Sequence, residues 1–147
     1  MNDQYAEMIT KFPLFEGHTV QGAQFLMERG EVKEHEPGAV LCREGDAAAF
    51  VLLVLSGKVQ VFVEREGRTV VLTETGPGTI LGELAVLCGI PRSASLRASE
   101  RLVALHWADE GFRRMLLSNT SLSQRILRQS LRTLIEKEQA LLNSLTK

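Results

Sequence analysis

The spacing of apolar residues changes character three times along the chain. Residues 3–11 have helical composition, and Pro13 in Phe12-Pro13-Leu14-Phe15 ends that pattern with a corner. A second short helix is expected from Thr19 to Gly30, with Val20, Ala23, Phe25 and Leu26 on its apolar face. From Val32 the period shortens. Apolar runs at Ala39-Val40-Leu41, Phe50 to Leu55, Val59 to Val63 and Val70 to Leu72 alternate with glycine-bearing turns. Ser56-Gly57-Lys58 and Glu66-Gly67-Arg68 both read as hairpin turns. With Thr79 to Leu81 and Ser95 to Leu105, the set comes to about eight short strands, a number that suits a jelly-roll β-sandwich.

Beyond His106 the pattern is helical to the end. Asp109 is placed to cap a helix carrying Phe112, Met115 and Leu116, and Asn119 or Ser121 to open a long terminal one. On that last helix Leu127, Leu131, Leu134, Leu141 and Leu145 step by heptad-like intervals, with Glu138 in the same seam. Its first half is expected to pack on the sandwich and its second half to form a parallel coiled-coil homodimer. The expected class is α+β, one domain over 1–147. It comprises an N-terminal helical element (1–30), a sandwich (31–106) and C-terminal helices (108–147).

Composition narrows the function classes. The chain has 147 residues, 44% of them hydrophobic, and a formal charge of −1. That length can bury a core, and the near-neutral balance disfavours a non-specific nucleic-acid binder. Cys42 and Cys88 form no C-x-x-C pair, no apolar run approaches the ~20 residues of a membrane span, and the start Met1-Asn2-Asp3-Gln4 lacks a secretory order. The expected location is the cytoplasm. His18, His35 and His106 are scattered without metal-ligand spacing, so no metal site and no metal cofactor are expected. No G-x-S-x-G elbow is present, and the reading is of a protein that is not an enzyme.

The chemistry concentrates in 82–95. Gly82-Glu83-Leu84-Ala85 supplies a fixed carboxylate that can accept from sugar hydroxyls, and a helix start whose Ala85 N–H can meet an anion. Pro91-Arg92-Ser93-Ala94-Ser95 follows with a planar fork of donors at Arg92 and a hydroxyl at Ser93, both suited to a phosphate. These residues resemble the phosphate cassette of the cyclic nucleotide-binding domain. Gly38, Gly45-Asp46 and Gly57 resemble that family's turn glycines, and the likeness runs from Phe12 to Leu145.

The resemblance implies a regulatory sensor for cAMP or cGMP. Gly82, Glu83, Leu84, Ala85, Arg92, Ser93 and Ala94 would hold ribose and cyclic phosphate, with Val61 and Leu72 beneath the ligand. The terminal helix would close over the base. Family activators carry a Thr-Ser pair there. Lys137-Glu138 fall at that place, and the Glu138 carboxylate would accept from guanine N–H groups. Transcription factors of the family continue into a helix-turn-helix. This chain ends at Lys147 after the long helix, so DNA binding is not carried over. The alternatives are a structural dimerisation module that binds nothing, and the sensor half of a transcription regulator.

Overall fold

The computed structural model describes residues 2–145. Helices α1 (Asn2–Thr10) and α2 (Val20–Glu28) precede eight strands: β1 (Glu31–His35), β2 (Val40–Cys42), β3 (Phe50–Ser56), β4 (Val59–Arg65), β5 (Arg68–Thr75), β6 (Ile80–Leu81), β7 (Ser95–Ala98) and β8 (Leu102–Ala108). A short helix α3 (Glu83–Cys88) interrupts the strands after β6, and α4 (Asp109–Leu117) and α5 (Thr120–Leu145) complete the chain. The strands form two four-stranded antiparallel sheets, β1-β8-β3-β6 and β2-β7-β4-β5. This is the α+β jelly roll that the sequence pattern predicts.

The sheet order explains which strands were easy to read. β3 is central and covered on both sides. Leu52 and Val54 enter the core between the sheets, and Val51, Leu53 and Leu55 meet the helices. Its sequence is accordingly one apolar run. β1 lies at a sheet edge, and of its five residues only Val32 is apolar, so the pattern does not single it out as a strand. The stretch 95–105 divides into β7 and β8, which belong to different sheets.

Only one of the two expected hairpins forms. Glu66-Gly67 connects β4 to β5, with both residues at positive φ as a two-residue turn with right-handed strand twist requires. Ser56-Gly57-Lys58 instead carries the chain from one sheet to the other, because β3 pairs with β6 and β8 while β4 pairs with β5 and β7. Gly57 sits at φ 92°, and a Cβ there would lie 2.1 Å from the Arg101 carbonyl oxygen. Glycine is required by that close approach, which looks the same in sequence as a hairpin turn.

A second core joins the helices to the outer face of the β8-β3 sheet. Trp107 and Phe112 are fully buried there, and the Trp107 indole donates to the Leu26 carbonyl at 2.9 Å. On α2 the buried residues are Ala23, Leu26 and Met27. Phe25, expected on the apolar face, is half exposed under the Arg29 guanidinium, which stacks 3.3 Å from its ring centre. Asp109 lies inside the first turn of α4, where its carboxylate accepts from the Glu110 amide, and Ala108 takes the capping position. Asn119 caps α5, its side-chain oxygen accepting from the Leu122 amide at 3.0 Å.

α5 buries Leu122, Ile126 and Ser130 and then runs along β5, where Ala140 and Leu141 pack on the core between the sheets. Leu141 is thereby taken from the expected seam. Leu127, Leu131, Leu134, Ile135, Leu142 and Leu145 form the exposed apolar face, with Leu142 in the place assigned to Leu141.

Candidate ligand-binding site

The site is built where β6 ends. Gly82 turns the chain into α3 at φ 85°, and a Cβ on it would lie 2.5 Å from an Arg92 terminal nitrogen. The absent side chain is what lets the guanidinium pass. Arg92 itself is set by the loop after α3: its amide donates to the Asp46 carbonyl and its carbonyl accepts from the Gly45 amide, both at 2.8 Å. The Ser95 hydroxyl accepts from the Glu44 amide at 2.9 Å, which ties the same two loops together.

Arg92 is buried, at 4% exposure. Its two terminal nitrogens donate to backbone carbonyls, Gly82 at 2.8 Å and Phe50 at 2.5 Å, and its guanidinium carbon lies 4.7 Å from the Phe50 ring centre. Its Nε is buried without a hydrogen-bond partner. An orphaned donor of that kind costs about 1–3 kcal/mol, which an incoming anion would relieve.

Glu83 is equally buried, at 5% exposure, and makes no ion pair with Arg92 within 4 Å. Its partner comes from α5. The Ser130 hydroxyl lies 2.7 Å from a Glu83 carboxyl oxygen and 2.8 Å from the Ile126 carbonyl. The hydroxyl donates to the carboxyl oxygen while lying within reach of the Ile126 carbonyl. Burial pushes the Glu83 pKa up, against the opposing effects of Ser130, its own backbone, Lys137 and Arg92.

The cavity between these groups is lined by Val61, Gly82, Glu83, Leu84, Ala85, Arg92, Ser93 and Ala94, eight of the ten residues the sequence nominated. Leu72 is not among them, because β5 turns it into the core between the sheets. Glu138 is exposed on α5 and is also absent from the lining. One residue earlier on the helix, Lys137 faces the cavity, with Thr133 one turn before it. Helical rotation of about 100° per residue separates the two faces. Burial lowers the Lys137 pKa, while Glu83 and Cys42 oppose that shift. Cys42 also lines the pocket, and its thiol is pushed up by burial. The room for water-sized molecules is about 40 Å³. That admits a few waters and no nucleotide, so a ligand of that size requires α5 or its side chains to move.

Two packed sheets presenting a short helix and a buried arginine to a pocket under a long helix define a small-molecule sensor fold. The chain belongs to the cyclic nucleotide-binding domain family, whose model matches residues 32–119. It is similar to the acetyltransferase Pat of Mycolicibacterium smegmatis, with 44% identity over 69 residues, covering 46% of this chain and 20% of that protein. A cAMP-dependent protein kinase type II regulatory subunit of Drosophila melanogaster is 27% identical over 113 residues, 76% of this chain and 30% of the relative. The chain thus spans less than a third of the length of either. The solved catabolite activator protein of Thermus thermophilus superposes with a TM-score of 0.75 at 26% identity, covering 91% of this chain and 63% of that one. Ser130, Thr133 and Lys137 lie beyond the family match, on the element that covers the pocket.

The raised Glu83 pKa has a stability consequence. The folded chain binds this proton more tightly than the unfolded one, so stability falls as pH rises from about 4.5 through the folded value. Glu83→Gln removes the penalty. Its melting temperature at pH 7 should equal or exceed that of the parent, with the difference shrinking toward pH 4.5. A variant several degrees less stable at pH 7 would contradict the assigned cost of burial.

Proposed function

We propose that this domain is a regulatory sensor for a cyclic purine mononucleotide, cAMP or cGMP. The observation that carries the reading is the buried Arg92, with an unpartnered Nε, at the wall of a pocket it shares with Glu83. The cyclic phosphate would take Arg92, Ser93 and the amides at the start of α3, and the ribose hydroxyl would take Glu83 from Ser130. Leu84 and Ala94 complete the cassette wall, and Val61 forms the apolar floor. The pocket groups are suited to holding a ligand rather than transforming it: Cys42 is kept a thiol by burial, and the carboxyl beside it is hydrogen-bonded to a serine on another helix. We read the domain as regulatory and not as an enzyme, and its free cysteines as those of a cytoplasmic protein. No helix among the described residues is long and apolar enough to cross a membrane.

Base identity would be read from α5. Lys137 is a donor without acceptor capacity, so it matches the O6 and N7 acceptors of guanine better than the adenine edge, which presents an amine. This favours cGMP, whereas the kinase relative carries cAMP in its name. Calorimetric titration with both nucleotides separates the readings. The parent should bind at least one of them. Arg92→Ala should lose about 2–5 kcal/mol of affinity for both, and Lys137→Ala should weaken cGMP more than cAMP. Binding by Arg92→Ala within threefold of the parent would overturn the site.

The exposed face of α5 is proposed as a homodimer seam. Leu127, Leu131, Leu134 and Leu142 are each about half exposed, at 47–55%, along one side of the helix. Light scattering at micromolar concentration should report a dimer for the parent and a monomer for Leu134→Asp, since an unpaired buried carboxylate costs several kcal/mol. A monomeric parent, with or without nucleotide, would remove the proposal.

A further inference from the structure

His35 and His106 are 71 residues apart in sequence, and the fold brings their side chains together. β1 and β8 pair with Glu31 opposite His106 and His35 opposite Leu102. Alternation along each strand therefore puts Glu31, Lys33, His35 and His106 on one face of the sheet. That face opens into a cavity of about 520 Å³, separate from the pocket under α5, lined by His35 and His106 among others. The two Nε2 atoms stand 3.1 Å apart, with the rings tilted by 47°. Two N–H groups cannot point at each other at that distance, so at least one Nε2 presents a lone pair.

We propose that His35 and His106 form a two-imidazole site for a first-row divalent cation of the zinc, nickel and copper group. At metal–nitrogen distances of about 2.0–2.1 Å, nitrogens 3.1 Å apart subtend about 100° at a shared ion, close to the tetrahedral angle. Imidazole nitrogen is a donor these ions favour. Phe50 backs the His106 ring at 5.1 Å between centroids and limits its rotation. The cavity is open, so water completes the coordination. Among the described residues no group of three or more His, Cys, Asp or Glu side chains is placed to hold a metal ion, so the two imidazoles are the protein's whole contribution to the site. Lys33 on the same face opposes a cation, so the site is an exchangeable one of micromolar affinity rather than a structural centre.

The test is calorimetric titration of Zn²⁺ into the untagged chain carrying Cys88→Ser, which removes the exposed thiol as a competing ligand. One equivalent should bind with a dissociation constant below about 100 µM. His106→Gln and His35→Gln should each weaken binding at least tenfold, with circular dichroism confirming the fold; His35, at the sheet edge, is the variant that keeps the test valid if His106→Gln unfolds. Absence of binding up to 100 µM would overturn the proposal, as would Zn²⁺ affinity unchanged in His35→Gln.

Discussion

The Ser130 hydroxyl donates to the Glu83 carboxyl at 2.7 Å beside a pocket that is narrow in this structure. This contact joins the long helix to the ligand cassette where both groups are almost wholly buried. A second contact nearby fixes the same helix, with the Gln129 side-chain oxygen accepting from the Ile80 amide at 2.8 Å. Together they set the position of α5 against the end of β6 and the start of α3. The opposite face of the helix carries the exposed leucines. Any ligand that claims Glu83 therefore acts on the element that also carries the proposed dimer seam.

The energetics suit a switch. A ligand shifts such an equilibrium only through its preference for one state over the other. Here the narrow state leaves two costs in place, the buried Arg92 Nε without a partner and the Glu83 carboxyl held at a raised pKa. A cyclic phosphate and a ribose hydroxyl would offset both. That gain would be offset in part by breaking the Ser130 contact, about 0.5–1.5 kcal/mol for an ordinary hydrogen bond.

The cassette was legible in sequence because local constraints crowd there: a glycine to let an arginine pass, a carboxylate at a helix start, and a proline-led loop. Most strands were legible because their apolar runs are buried. What failed depended on contacts between distant segments. Gly57 has the signature of a hairpin glycine and in fact joins two sheets under the Arg101 carbonyl. Leu72 packs into the core between the sheets and does not line the pocket. Lys137 and Glu138 are neighbours in sequence on different faces of a helix whose rotation is set by Ile126, Ser130 and Leu141 packing inward. Heptad counting selected Leu141 for the seam, whereas the sandwich claims it and exposes Leu142. His35 and His106 looked scattered because only the β1–β8 register brings them together.

The central claim is that Ser130 and the ligand compete for Glu83. Nucleotide affinity of Ser130→Ala, measured by calorimetry beside the parent, tests it most directly. Removing one hydrogen bond that favours the narrow state should tighten binding roughly twofold to tenfold, with the folded structure retained. Weaker binding by a folded Ser130→Ala would show that the hydroxyl belongs to the bound state, and would contradict the account.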